Sequence, residues 1–192
     1  CYFRKERSLL QGNMGKILIV KSSLRANSNS DFLADCLAEE LENSGKDVSS
    51  VSLKGKKLAF CRGCLFCQDK GECAIKDDAS AISQMMHDAE TIIFATPVYY
   101  YGMCGQLKTL LDRSNWLYPS DYKFRNVYLI ATAAEKDRSA VDKTITNLEG
   151  WVECFPQAKI MGVFRGIGLH LPLEAKGNEG LLQEIRFFAK TI

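Results

Sequence analysis

Apolar residues along this chain fall into two signatures: short uninterrupted runs, and longer stretches in which they recur every three or four positions. The runs are Lys16-Ile-Leu-Ile-Val20, Thr91-Ile-Ile-Phe-Ala-Thr96, Phe124–Thr132 with Val-Tyr-Leu-Ile inside it, and Lys159–Phe164. A strand covered on both faces of a parallel sheet looks like this, because neither face calls for polar residues. Lys46–Leu53, with Val48, Val51 and Leu53 among serines, is a weaker strand whose mixed pattern suits a sheet edge. Helical spacing lies between the runs. Phe32, Leu33, Cys36, Leu37 and Leu41 form a stripe from Ser30 onward, stopped by Asn43-Ser44-Gly45. Asp78 is expected to cap a helix carrying Ile82, Met85 and Met86, and Met103, Leu107, Leu110 and Leu111 predict a helix beginning near Met103. Further helices are expected from about Ser139 to Phe155 and from Glu179 to Lys190.

Five strands alternating with helices predict an α/β fold, a flavodoxin-like three-layer sandwich with a parallel sheet in the order 2-1-3-4-5. In such a sheet the ligand crevice opens at the carboxyl ends of strands one and three. The loop after the first strand reads Lys21-Ser-Ser-Leu-Arg-Ala-Asn-Ser-Asn-Ser30 and runs straight into a helix. A helix start offers unpaired N–H groups and the positive end of the dipole, so phosphate is favoured there. Ser23, Ser28, Asn29 and Ser30 add neutral donors and Arg25 a charge. Plain helix capping explains the same residues equally well. Neither G-x-x-x-x-G-K-[ST] nor G-x-G-x-x-G occurs, which argues against a nucleoside triphosphate or an embedded dinucleotide.

The loop after the third strand, Pro97-Val-Tyr-Tyr-Tyr-Gly-Met103, sets aromatic rings with polar tips beside a glycine. This suits a flat aromatic ligand, although a tyrosine-rich turn over the sheet is the plain alternative. Together the loops offer a monophosphate cradle and an aromatic platform, the shape of flavin mononucleotide (FMN).

Composition narrows the classes. The 192 residues fit a single domain over 14–192, with 1–13 a leader or disordered extension. Twenty-five basic and 23 acidic residues are interspersed and no basic stripe occurs, so nucleic acid is not an expected partner. No apolar run reaches membrane-spanning length, so no membrane is expected. Four of the eight cysteines crowd into Cys61–Cys73, which points to a reducing, cytoplasmic setting and to metal or redox chemistry.

Ser-x-Arg-x-x-Ser-Asn-Ser after the first strand, Thr-Pro-Val-Tyr-Tyr-Tyr-Gly-Met-x-Gly-Gln-Leu-Lys-x-x-x-Asp-Arg after the third, and the intervening cysteines together resemble the NADPH-dependent FMN reductase and iron-sulfur flavoprotein group, over roughly Met14 to Arg113. The resemblance implies tightly bound FMN, reduction by NAD(P)H or another electron carrier, and homodimers or homotetramers. It implies that Ser23, Arg25, Ser28, Asn29 and Ser30 hold the phosphate. Pro97, Val98, Tyr99, Tyr100, Gly102 and Met103 would line the ring, with Thr132 beside it. Many relatives have glycines where this chain has Thr132-Ala133-Ala134-Glu135, a departure from the group's pattern that bears on the contacts to the flavin's pyrimidine edge. Binding residues are expected rather than a catalytic triad, because the chemistry belongs mostly to the cofactor.

Cys61, Cys64, Cys67 and Cys73 form C-x-x-C-x-x-C-x5-C. Compact runs of this kind wrap a 4Fe-4S cluster, and the iron-sulfur flavoproteins use one. Zinc, or a thiol-rich loop able to form a reversible disulfide, are the other readings. Cys104, at the start of the flavin-loop helix, is expected to pack as a small residue, Cys36 to be a core thiol, and His87 and His170 to be surface or satisfied histidines. Residues 162–177 read either as a cover over a partner's flavin or as an ordinary surface loop.

Three functions follow. The first is an FMN-dependent NAD(P)H oxidoreductase passing electrons to a small-molecule acceptor such as a quinone, nitroaromatic or free flavin. The second is an iron-sulfur electron carrier fed by ferredoxin. The third is a flavin-free module for a phosphorylated ligand or partner.

Overall fold

In a computed structural model, which describes residues 15–192, the apolar runs become one parallel sheet with helices on both faces. The strands are β1 (Ile17–Lys21), β2 (Val48–Ser52), β3 (Thr91–Tyr99), β4 (Gly102–Met103), β5 (Asn126–Thr132) and β6 (Lys159–Gly166). The parallel strands lie in the order β2-β1-β3-β5-β6, and β4 folds back antiparallel onto β3. Apart from that added hairpin strand the expected order 2-1-3-4-5 is observed. The expected leader over 1–13 lies outside the described residues.

The helices are α1 (Asn29–Asn43), α2 (Phe66–Lys70), α3 (Asp78–Asp88), α4 (Gly105–Arg113), α5 (Asp142–Val152) and α6 (Glu179–Ala189). On one face of the sheet Leu33, Leu37 and Leu41 of α1 and Leu181 and Ile185 of α6 pack against Ile19, Ile93 and Ile130. On the other, α3, α4 and α5 contribute Ile82, Met86, Leu107, Leu110, Leu148 and Val152 against Leu18, Phe94 and Leu129. The central strands are covered on both sides, which is why they read as unbroken apolar runs.

Four expectations need correction. The α3 cap is Asp77, whose carboxylate accepts from the Ala79 N–H at 3.1 Å, while Asp78 is the first helical residue and accepts from the Lys57 N–H at 2.7 Å. The helix expected from Met103 starts at Gly105, because Gly102 and Met103 are taken by the hairpin. The helix expected over 139–155 is a 3₁₀ turn, Arg138–Val141, followed by the shorter α5. β3 runs on through Pro97, which a central strand normally excludes. Ala95 O accepts from Ser22 N just past the last residue of β1, so the missing Pro97 N–H faces a side where no strand remains to pair.

His87 is satisfied, held between Asp88 (2.9 Å) and Asp121 (3.1 Å) and stacked on Trp116. Cys104 is buried, its thiol donating to Ser22 O at 3.4 Å, and Cys36 is half-buried with its thiol pKa pushed up by burial.

Candidate functional site

The topological switch lies between β1 and β3, where the chain leaves the sheet in opposite directions. A cavity of about 300 Å³ opens there, lined by Ser23, Arg25, Ser28, Asn29, Pro97, Val98, Tyr99, Thr132, Ala134, Leu169 and His170. The two loops singled out from sequence therefore meet in one cavity.

At its polar end Ser28 caps α1, its hydroxyl accepting from the Asp31 N–H at 3.4 Å. Asn29 and Ser30 contribute first-turn N–H groups, which by helix geometry have no intrahelical acceptor. The Ser30 side chain is not at the cavity wall; it is buried, with its hydroxyl 2.9 Å from that of Ser28. Arg25 lies at the rim and donates through Nη1 to His170 O at 3.1 Å. Burial raises the pKa of the first-turn carboxylate Asp31, against the pull of Lys21.

The other wall is the end of β3. Tyr100 and Tyr101 form the two-residue hairpin turn with φ of 49° and 65°, both in the left-handed region. Two-residue hairpins favour such angles, normally on Asn-Gly; on tyrosines they carry strain. The turn is fixed from outside: Thr144 Oγ1 donates to Tyr101 O at 3.1 Å, and Cys104 N donates to Thr96 Oγ1 at 3.2 Å. Tyr99 lines the cavity, Tyr100 projects fully into solvent, and neither Gly102 nor the buried Met103 reaches the wall. Gly166 forms part of the packing beneath: a Cβ there would lie 3.1 Å from Thr132 Cγ2 and 3.3 Å from Leu169 Cδ1.

Ala134 lies in the loop that the resemblance sets at the flavin's pyrimidine edge, whereas Leu169 and His170 carry no individual sequence signal for this cavity. The 162–177 stretch covers the chain's own cavity, drawn in by Asn29, whose amide donates to Leu171 O at 2.8 Å and accepts from Ala175 N at 3.1 Å. No local pattern announces this clasp, since its partners are more than 140 residues apart.

Cys61, Cys64, Cys67 and Cys73 line one small cavity of about 30 Å³ with Arg62, Asp112, Arg113 and Asn115. Gly63 and Leu65 in this loop adopt φ of 63° and 58°. Gly63 N donates to Cys61 Sγ at 3.4 Å and Asn115 Nδ2 to Cys67 Sγ at 3.3 Å. Arg113, at the end of α4, anchors the loop's base: Nη1 donates to Ala59 O and Asp77 Oδ2 (both 2.7 Å), and Nη2 to Ile75 O (2.8 Å) and Asp77 Oδ1 (2.9 Å). Burial opposes charge on both partners. The Arg113 hydrogen bonds nonetheless lower the Asp77 pKa, and Asp77 with the Cys73 sulfur raises that of Arg113.

Residues 15–162 match the family described as NADPH-dependent FMN reductase. The chain belongs to that family. It is 37% identical over 98 residues to an iron-sulfur flavoprotein of Archaeoglobus fulgidus, covering 51% of this chain and 44% of that one. It is 30% identical over 138 residues to the iron-sulfur flavoprotein of Methanosarcina thermophila, 71% of this chain and 72% of that one. Three Archaeoglobus fulgidus relatives are matched over 44%, 63% and 54% of their length, so the chain spans about half of these curated proteins. An azoreductase of Bacillus anthracis superposes with a TM-score of 0.71 over 93% of this chain and 100% of its own, at 17% identity, a likeness of fold.

FMN, in the family's description, and an iron-sulfur group, in the names of these relatives, can each be set against the residues. The β1–β3 cavity suits FMN in its donor set: hydroxyls, a helix start and an arginine at one end, and Pro97–Tyr99 with Thr132 at the other. The cysteine loop suits an anionic sulfur ligand set in its thiols, its N–H donors, and one orphaned buried atom, Arg113 Nε, which has no hydrogen-bond partner. Among the described residues no three metal-ligating side chains converge on a single ion. A cubane differs in binding each thiolate to a separate iron. The space enclosed here is water-sized, smaller than a cubane.

Proposed function

We propose that the chain is an FMN-dependent oxidoreductase that accepts electrons from NAD(P)H and passes them to a small acceptor such as a quinone, nitroaromatic or free flavin. The observation that carries this reading is the single cavity in which Ser23, Arg25 and Ser28 face one end of the ligand and Pro97, Val98, Tyr99 and Thr132 the other. FMN, when bound, supplies hydride acceptance and release at its ring. The residues' tasks are binding and positioning. The α1 first turn and the Ser23 and Ser28 hydroxyls hold the phosphate, and Arg25 offsets part of its charge. Tyr99 and the strained turn behind it fix the ring's plane, and Leu169 and His170 limit water at the mouth. Ser30 and Met103 support from behind, and Gly102 supplies backbone only.

Leu24, Tyr99, Tyr100 and Leu171 are exposed apolar side chains on the loops at this rim, and a second copy of the chain, in a homodimer or homotetramer, is proposed to cover them. No helix among the described residues is long and apolar enough to cross a membrane. The crowding of four cysteines into Cys61–Cys73 fits a reducing, cytoplasmic setting.

A second reading is favoured by the cysteine loop: an iron-sulfur electron carrier with Cys61, Cys64, Cys67 and Cys73 holding a 4Fe-4S cluster and ferredoxin as electron donor. Anaerobic protein loaded with FMN separates the two. Bleaching of the flavin by NAD(P)H, followed by reoxidation with a quinone, supports the first; reduction by ferredoxin and not by NAD(P)H supports the second. A protein that takes up no FMN overturns both.

A further inference from the structure

Arg113 has more binding capacity than its visible partners use. A guanidinium carries five N–H donors, and four of Arg113's are spent on Ala59 O, Ile75 O and both oxygens of Asp77. These acceptors flank the cysteine segment on both sides, so the side chain ties its ends together. The fifth donor, Nε–H, is buried without a partner in a side chain with no exposed surface, and Arg113 is one of the residues lining the cysteine cavity. Burying an unpaired donor of a charged group is costly, and native structures rarely keep one without use. The other cationic side chain at this cavity, Arg62, is exposed, and Lys76 close by is paired with Glu72 at 2.5 Å. Cys61 and Cys67 already receive an N–H from Gly63 and Asn115. Cys73 lines the same small cavity as Arg113.

Resting on the reading of this loop as a cluster site, we propose that Arg113 is the positioning residue that holds the loop over an iron-sulfur cluster, its free Nε–H donating to the Cys73 sulfur. Hydrogen bonds to ligand sulfurs and nearby positive charge stabilise the more negative, reduced state of a cluster. Arg113 thus both retains the cluster and sets its potential upward. Because α4 follows the Tyr100–Tyr101 hairpin and ends at Arg113, one nine-residue helix joins the turn behind the flavin wall to the cluster clamp.

The test reconstitutes the full chain anaerobically with ferrous iron and sulfide, as wild type, Arg113→Lys and Arg113→Gln. Iron and acid-labile sulfide per chain, the rate of bleaching by a chelator, and the midpoint potential are measured. FMN uptake checks folding. The expected result is a loaded wild type and variants that lose iron at least about tenfold faster, with a lower potential in Arg113→Gln. Should the variants not fold, arginine-selective ¹⁵N NMR of the wild type decides: loading is expected to shift the Arg113 Nε–H signal paramagnetically. Loaded protein with that signal unmoved, or folded variants with wild-type chelator resistance and potential, overturns the role of Arg113 alone. A wild type that takes up no iron overturns the cluster reading and this proposal with it.

Discussion

The Arg113–Asp77 pair is the interaction whose removal the structure prices most clearly. The Arg113 side chain is fully covered and that of Asp77 is 11% exposed, and the contact is bidentate. Asp77→Asn keeps an oxygen for the Ala79 N–H cap but leaves the guanidinium's charge uncompensated; breaking a buried pair from one side costs roughly 3–5 kcal/mol. Asp77→Ala also removes the cap, worth about another 1 kcal/mol. For a chain of this size each kcal/mol moves the melting point by about 2–4 °C, so Asp77→Asn is expected to melt roughly 6–20 °C lower. The pH dependence has a definite sign. The Asp77 pKa is lowered in the folded protein, so its stabilisation is complete above the ordinary carboxylate value and is lost as pH falls through the folded value. Urea unfolding of wild type and Asp77→Asn from neutral to strongly acidic pH is the assay. The gap between them is expected to shrink only at the acid end. A gap under about 1 kcal/mol at neutral pH, or one independent of pH, refutes the reasoning.

Three further outcomes are expected. Ser28→Ala removes the α1 cap and a cavity hydroxyl; about 1 kcal/mol of stability is lost and FMN binds about tenfold more weakly by fluorescence titration. Asn29→Ala strips partners from Leu171 O and Ala175 N, costing about 2 kcal/mol, and hydrogen exchange accelerates across 169–175 before the sheet is affected. Replacing Tyr100-Tyr101 by Asn-Gly, the pair such turns prefer, relieves strain of about 1–2 kcal/mol per residue and raises the melting temperature.

The sheet was legible because its central strands are covered on both sides and therefore unbroken in hydropathy, and alternation with helices left few topologies. The two site loops were legible as punctuation between those elements. What escaped was non-local. The hairpin uses tyrosines where Asn-Gly would have signalled it, so Met103 joined the helical stripe that follows. Leu169 and His170 reach the cavity through contacts distant in sequence: Leu169 N donates to Ala133 O, Arg25 to His170 O and Asn29 to Leu171 O. Asp77 differs from Asp78 as a cap through a partner far along the chain, Arg113. Ser30, Tyr100, Gly102 and Met103 sit in the motifs but off the cavity wall, because a motif marks a segment and the fold decides which side chains face inward.

The central claim is that the cavity between β1 and β3 holds FMN. Titration of FMN into flavin-depleted protein, with wild type and Ser28→Ala side by side and inorganic phosphate as competitor, tests it most directly. The account predicts saturable quenching of flavin fluorescence, weakened by the substitution and by phosphate. Quenching indifferent to both, or no uptake at all, would contradict it.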